Sequence, residues 1–125
     1  MKHLLLLMGL ILLSSCGSYT CEDFRIGEFR YSDPSFQDVV ITRDSLTQVE
    51  VKTEAGESVK DVYSIYWDGP CSYTLVMKES SHPSKQFHSK YDTIKVRIRE
   101  ITDDGYIFHT LLGGKEVEGE MILND

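Results

Sequence analysis

The clearest pattern in the chain is a strict alternation of apolar and charged residues near its C-terminal end. In the stretch DTIKVRIRE (92–100), apolar residues take every second position and basic residues lie between them. A period of two is typical of a β-strand with one buried face. The turn signal TDDG (102–105) follows, and a Gly-Gly pair at 113–114 ends the next apolar stretch. We therefore predict a three-stranded meander over 92–100, 105–112 and 115–123.

Upstream, five more segments show strand-like patterns. They are residues 24–31, 39–43, 46–52, 59–67 and 72–78, and short polar turns such as DGP (68–70) separate several of them. Within the first segment the apolar phase changes at Gly27, which predicts a β-bulge there. Residues 33–38 are predicted to hold a single helical turn. No segment has the pattern of an amphipathic helix.

About eight short strands joined mainly by tight turns indicate an all-β domain. We predict one small antiparallel up-and-down β-barrel, lipocalin- or avidin-like, over residues 23–125, with a β-sandwich as the alternative. The barrel is favoured because closure leaves no exposed strand edge, and the connections are too short for many crossovers.

The N-terminal end has the features of a bacterial lipoprotein signal. Lys2 precedes the apolar run LLLLMGLILL (4–13), which as a helix spans about 15 Å, half of a ~30 Å hydrocarbon core. Leu13-Ser14-Ser15-Cys16 then fits a lipobox, in which small residues precede the cysteine that receives the lipid. We predict a signal peptide over 1–15 and lipidation of Cys16. A plain cleaved signal with Cys16 as a bystander is the alternative.

A short tether, residues 16–22, then joins the predicted lipid to the barrel domain. Cys16 and Cys21 are five residue steps apart, which reach at most about 18 Å, so the domain must sit close to its membrane. Residue 17 is Gly rather than the Asp of the inner-membrane retention signal. We therefore expect a location in the cell envelope, on the outer membrane and facing the periplasm.

Charge and cysteine content narrow the possibilities further. Without residues 1–15, twelve basic and twenty acidic residues give a formal charge of −8, which argues against nucleic acid as a partner. With Cys16 assigned to lipid, Cys21 and Cys71 remain, and an oxidising compartment favours a disulfide between them. A metal site or a redox pair is the alternative, although no CxxC motif is present.

Four stretches of the chain resemble a family of small bacteroidete lipoproteins: CEDFRIGEFRY, ITRDSLTQVEV, IYWDGPCSYTLVMK and IKVRIREITDDGYIFHTLLGG. The residues that carry the resemblance are Cys21, Asp23, Phe24, Arg25, Gly27, Phe29, Arg43, Asp44, Ser45, Trp67, Cys71, Tyr73 and Leu75. These motifs supply no catalytic chemistry. Some members have the label "DNA topoisomerase IV", which a short, acidic, exported chain does not support.

The chain has few signs of catalytic or metal chemistry. No nucleophile elbow, zinc-protease motif, phosphate-binding loop or dinucleotide fingerprint occurs, so we expect no catalytic residue, no cofactor and no enzymatic activity. His82, His88 and Asp92 fall in a long polar stretch, and their spacing is unspecific for a metal site, so we interpret it as a solvated loop. His109 is expected on the surface or in the barrel lining.

Six aromatic residues on adjoining predicted strands are the candidate ligand-lining set: Tyr63, Tyr66, Trp67, Tyr73, Tyr106 and Phe108. Around a cavity they would suit a small hydrophobic ligand, whereas packed together they are simply the core. The first hypothesis is a non-catalytic binding or interaction module whose partner is an envelope protein. The alternative is a lipocalin-like carrier of a small hydrophobic ligand. An empty interior lined by aromatics favours the carrier, and a filled barrel with an exposed apolar patch favours the module.

Overall fold

A closed barrel of eight antiparallel strands forms the whole domain in the computed structural model, which describes residues 18–81 and 93–124 and, of Glu54, the backbone alone. The predicted up-and-down barrel is thereby confirmed. The strands are β1 (Gly27–Tyr31), β2 (Val40–Arg43), β3 (Thr47–Glu54), β4 (Glu57–Gly69), β5 (Ser72–Ser80), β6 (Thr93–Ile101), β7 (Gly105–Leu112) and β8 (Lys115–Asn124). Two 3₁₀ helices (Cys21–Phe24 and Pro34–Phe36) complete the described elements, the second confirming the helical turn expected at 33–38.

Every strand pairs with its neighbour in sequence, and β8 returns to pair with β1. The closing ladder places Phe29 opposite Leu123 and Tyr31 opposite Met121. Closure satisfies the backbone donors and acceptors that an open sheet leaves at its edges. No helix within the described residues is long and apolar enough to cross a membrane.

Different described elements lie at the two ends of the barrel. The N-terminal 3₁₀ helix and the turns after β2, β4 and β6 lie at one end, which we call the closed end. The second 3₁₀ helix and the turns after β3 and β7 lie at the other, which we call the open end. At the open end the turns use left-handed backbone at Ala55-Gly56 and at Gly113-Gly114, as tight hairpins require.

The N-terminal 3₁₀ helix plugs the closed end. The Thr20 backbone N–H donates to the Asp23 carboxylate at 2.7 Å, which caps the helix start. Phe24, at the last helical position, is fully buried and packs on Tyr106 with ring centroids 4.9 Å apart. The β-bulge predicted at Gly27 is wrong, because β1 begins at Gly27 and the residues before it form this helix. The change of apolar phase at Gly27 marks the boundary between the N-terminal 3₁₀ segment and β1.

The predicted disulfide is confirmed and holds this plug in place. Cys21 lies in the helix and Cys71 directly precedes β5, with their Cα atoms 5.3 Å apart. Cys21 is only 6% exposed, so the bridge is part of the packed closed end. The alternatives of a metal site or a redox pair of free thiols do not describe these two residues.

Alternation along the strands sorts side chains between the interior and the outside. Tyr63 and Ile65 of β4, and Val96 and Ile98 of β6, point inward and are buried. Strand β3 is the exception in composition, because its inward residues are polar. The ladder pairs Ile41 with the neighbouring Glu50, so the polar phase of β3 faces the interior.

Candidate functional site

A cavity of about 350 Å³ occupies the half of the barrel nearer the open end. It reaches from the second 3₁₀ helix, where Phe36 lines it, down to Gln48 and Tyr73. Well-packed interiors contain few voids larger than a water molecule, which takes about 30 Å³ of liquid. A space of this size is therefore large enough for a small organic molecule.

One wall of the cavity is apolar. Strands β5 to β8 contribute its aliphatic and aromatic side chains: Leu75, Ile94, Val96, Phe108, Val117 and Met121. Tyr31 extends this wall, since its ring lies 5.7 Å from that of Phe36 and 6.4 Å from that of Phe108. Such a surface favours apolar matter through the hydrophobic effect.

The opposite wall is polar, and strands β3 and β4 supply it. Its lining side chains are Gln48, Glu50, Lys52 and Asp61. Glu50 and Asp61 lie directly opposite each other in the ladder, and Asp61 is 3% exposed. An apolar wall facing a polar one fits an amphipathic ligand better than a purely hydrocarbon one.

The two carboxylates of the polar wall, buried Asp61 and half-buried Glu50, accept hydrogen bonds from hydroxyl groups. The Tyr31 hydroxyl donates to Glu50 at 3.0 Å, and the Ser80 hydroxyl donates to Asp61. Burial, followed by the negative charge of Glu50, holds the pKa of Tyr31 well above its usual value. Tyr31 is therefore a neutral hydrogen-bond donor at physiological pH.

The floor of the cavity rests on a buried arginine. Arg43 is 1% exposed and pairs across the ladder with Gln48. Its Nε and Nη2 donate to the Gln48 Oε1 at 3.0 and 2.7 Å, and its Nη1 donates to the Phe24 carbonyl at 2.7 Å. Nη2 also reaches the hydroxyls of Tyr73 (3.3 Å) and Tyr106 (3.1 Å).

Aromatic faces complete the surroundings of the Arg43 guanidinium. Its central carbon lies 4.6 Å from the ring centroid of Phe29 and 4.8 Å from that of Tyr73. Cation–π attraction of this kind offsets part of the cost of burying the charge. Desolvation alone lowers the pKa of Arg43, but Tyr73 and Tyr106 raise it, and the net shift is upward. The group is thus a permanent cation beneath the floor.

The two tyrosines of the floor are themselves paired. Their hydroxyl oxygens lie 2.9 Å apart, so one donates to the other. Burial and the neighbouring Tyr106 raise the pKa of Tyr73 well above its usual value, although Arg43 opposes this shift. Both rings are nearly inaccessible to solvent, with Tyr73 2% and Tyr106 0% exposed.

The six predicted lining residues take four different positions. Tyr73 and Phe108 line the cavity as predicted. Tyr106 and Trp67 belong to the packing beneath the floor, where the Trp67 ring lies tilted against that of Tyr73 with centroids 4.8 Å apart. Tyr63 lies on the inner face opposite Gln48, with 4% exposure.

Tyr66 lies outside the barrel with 57% exposure, so it does not line the cavity. Its neighbours Ile65 and Trp67 take the inward phase of β4, which sends Tyr66 outward. The aromatic content of adjoining strands does not by itself show which face of each strand an aromatic residue takes. It also missed Arg43 and Gln48, for which a charged residue in the apolar stretch VITR was the available signal.

The remaining candidate residues lie elsewhere. Residues 1–15, Cys16, His82, His88 and Asp92 lie outside the described residues. His109 lies between two glutamates of β8, with Nδ1 2.7 Å from Glu116 and Nε2 2.8 Å from Glu118. No cluster of three or more potential metal ligands occurs within 18–81 and 93–124.

Comparison of the chain with known protein families, with curated proteins and with solved structures finds no match. The resemblance to bacteroidete lipoproteins therefore stays a prediction. Any function must be argued from the geometry of the barrel.

Proposed function

We propose that this protein is a lipid-anchored envelope lipoprotein whose barrel binds and carries a small, largely apolar ligand. The observation that supports the proposal is the cavity of about 350 Å³ behind the second 3₁₀ helix. Its apolar wall would be poorly hydrated when empty. An engineered apolar cavity of about 150 Å³ in another protein binds benzene, so a larger cavity with one apolar wall is suited to a larger guest.

The membrane anchor in this proposal rests on the sequence. The lipobox ending at Cys16 and the short apolar run before it support lipidation, and Gly17 supports the outer membrane. A Cys16→Ser variant is expected to leave the membrane fraction and appear as a soluble protein. A variant that stayed fully membrane-associated would contradict lipidation at this residue.

Ligand binding is tested with a neutral apolar fluorophore, N-phenyl-1-naphthylamine. We expect saturable binding by the purified protein, seen as increased and blue-shifted fluorescence. The Val117→Trp variant fills the cavity and should lower the affinity at least tenfold. Val51→Trp is the matched control, because Val51 lies on the outer face with 36% exposure. Absence of saturable binding, or equal effects of the two variants, would overturn the carrier function.

An interaction module is the second candidate, and an outward apolar surface favours it. Val40 and Val51 pair across β2 and β3 on the outside and are 42% and 36% exposed. Val49 and Val62 form the next outward pair toward β4. A photo-crosslinking residue at position 51 is expected to give a discrete adduct in intact cells, whereas position 97, on the outer face of β6, should not. The same yield at both positions would count against this module.

A further inference from the structure

The orientation of one buried amide points to the chemistry of the ligand. Arginine has only donors, so the two bonds that Arg43 makes to Gln48 must end on the amide oxygen, Oε1. This fixes the orientation of the Gln48 amide, whose oxygen and nitrogen otherwise cannot be told apart. The amide nitrogen, with two N–H donors, therefore points away from Arg43.

These two donors have no partner in the described part of the chain. Gln48 is 2% exposed and its side chain lines the cavity floor. An amide N–H that borders a cavity needs an acceptor there, supplied by water or by a ligand group. Gln48 lines the cavity, so an acceptor located there would satisfy these donors.

A hydroxyl hydrogen beside Gln48 also has no acceptor among the described residues. Nη2 of Arg43 donates one hydrogen to Gln48 and shares the other between the two tyrosine oxygens. The contact between Tyr73 and Tyr106 uses one of their two hydroxyl hydrogens. The other has no acceptor among residues 18–81 and 93–124. When Tyr106 is the donor of the pair, the spare hydrogen belongs to Tyr73, which lines the cavity.

The positive charge of Arg43, beneath the cavity floor, favours a ligand group that accepts hydrogen bonds. All acceptors of Arg43 among the described residues are neutral: an amide oxygen, a backbone carbonyl and two hydroxyls. Its positive charge is therefore not cancelled at short range, and low-dielectric surroundings extend its effect into the cavity. The acidic Glu50 lies two residues farther along β3 toward the open end, about 7 Å away, with Lys52 beyond it.

We propose that the cavity floor binds the carboxylate of an amphipathic ligand through the Gln48 amide nitrogen and the Tyr73 hydroxyl. This inference rests on the proposed carrier function and specifies its ligand: an organic acid with an apolar body that lies against the wall formed by β5 to β8. Arg43 acts as a positioning residue, which orients the amide and supplies positive potential. At the floor itself, an ammonium group would meet N–H and O–H donors above a cation. The carboxylates of Glu50 and Asp61 line the wall above it, so the position of the ligand's charged group in the cavity decides which sign is favoured.

The first experiment compares three ligands with one apolar body: 4-phenylbutyrate, 4-phenylbutyramide and 4-phenylbutylamine. Each is used at pH 7 to displace N-phenyl-1-naphthylamine from the purified protein. We expect the acid to bind at least tenfold more tightly than the amine, with the amide between them. Equal affinities, preference for the amine, or no displacement by any of them would overturn the inference. Binding of the neutral fluorophore reports the carrier function separately, because it needs no acceptor group.

The second experiment changes the floor without removing the support of Arg43. In Gln48→Glu, a carboxylate still accepts from Arg43, but both N–H donors are lost and the positive charge is compensated. We expect at least a tenfold loss of 4-phenylbutyrate affinity and a melting temperature that does not fall. Fluorophore affinity is measured directly in the variant, so that the displacement by the acid is corrected for any change in it.

Gln37→Glu is the matched control, since it adds the same charge at an exposed position beside the second 3₁₀ helix. It should leave the affinity for the acid within about twofold. Unchanged acid affinity in Gln48→Glu would overturn the inference. The comparison of the three ligands on the unaltered protein keeps the inference testable should this variant fold poorly.

Discussion

Removal of the Cys21–Cys71 bridge gives the sharpest test of how the closed end is stabilised. The bridge closes a loop with a sequence separation of 50 residues. In the chain-entropy model, a loop of this length restricts the unfolded chain by about 4 kcal/mol at 25 °C. The whole domain is expected to have about 5–15 kcal/mol of stability, so the bridge is a large part of it.

The Cys21→Ala/Cys71→Ala double variant should therefore lose about 3–4 kcal/mol and melt at least about 12 °C lower. The fold should persist, because Phe24 stays buried against Tyr106 and its carbonyl still accepts from Arg43. Urea unfolding at pH 7, followed by the fluorescence of Trp67, measures the loss. The urea dependence, m, should increase, since an unbridged chain exposes more surface when unfolded.

A loss below about 1 kcal/mol would refute this reasoning, because it would mean that the unfolded chain stays compact around the closed end without the bridge. Reduction of the unaltered protein is the control, and it should give the same stability as the double variant. The cavity lies at the other end of the barrel, so fluorophore affinity of the folded variant should stay within about twofold.

Three further changes follow from the packing and the electrostatics. Gly105→Ala places a Cβ 1.8 Å from the Met121 carbonyl oxygen and should cost more than about 3 kcal/mol of stability in urea unfolding. Gly119→Ala places a Cβ 2.5 Å from the Phe108 ring. Because this ring can turn into the cavity, the cost should be about 1–3 kcal/mol. Equal losses would contradict this difference. Phe24→Ala should cost about 3–5 kcal/mol, and the half-exposed Phe36→Ala less than about 1.5 kcal/mol; the reverse order would show that the plug is not part of the core. Burial raises the pKa of Tyr31 and Tyr73, so folding favours their neutral forms; the stability that this gives is complete below about pH 10 and is lost as the pH rises through the folded-state pKa. The urea midpoint should therefore fall between pH 9 and about pH 11, and a rise over this range would contradict the burial of both hydroxyls.

The sequence was sufficient to predict the barrel because the strands alternate and tight turns separate them. The alternation in β6 and β8 places Val96, Ile98 and Met121 inward, as their burial confirms. In a strand, a period of two leaves undecided only which face is buried. Here one set of alternate residues is charged and the other is apolar, so the apolar set faces the interior. The bounds of these strands agree with the predicted segments to within one residue.

Strand β3 shows where this argument fails. Val49 and Val51 form its apolar phase, which a sequence argument assigns to the interior, yet Gln48 and Glu50 face inward instead. The reason lies in a neighbouring strand: Arg43 and Ile41 share the inward phase of β2, and buried Arg43 needs acceptors opposite it. Register between strands is set by such pairs, which a single segment does not reveal.

The strand predicted for residues 24–26 is absent for a different reason. CEDFRIG has the spacing of a strand, but its cysteine is fixed to Cys71 and its first turn is capped by Asp23. Both constraints come from outside the local apolar pattern, and together they favour a 3₁₀ plug over a first strand that begins at residue 24. The cavity was equally hidden, because its volume depends on how far this plug and Arg43 fill the barrel, which only the assembled packing decides.

The division into a plugged end and an open end also sets how an anchored barrel would face its membrane. Lipid at Cys16 would lie five residue steps from Cys21, so the closed end would sit against the bilayer. Strands of 8 to 10 residues, tilted as in small barrels, would then hold the cavity mouth about 20–25 Å from that end. A ligand would enter from the aqueous side and not from the bilayer beneath. We therefore expect N-phenyl-1-naphthylamine to associate with vesicle-anchored protein and with soluble Cys16→Ser protein at rates that agree within about twofold, measured by stopped-flow fluorescence after correction for probe dissolved in lipid. A rate at least tenfold slower on the vesicles would mean that the mouth faces the membrane, and would contradict the orientation argued from the position of the plug.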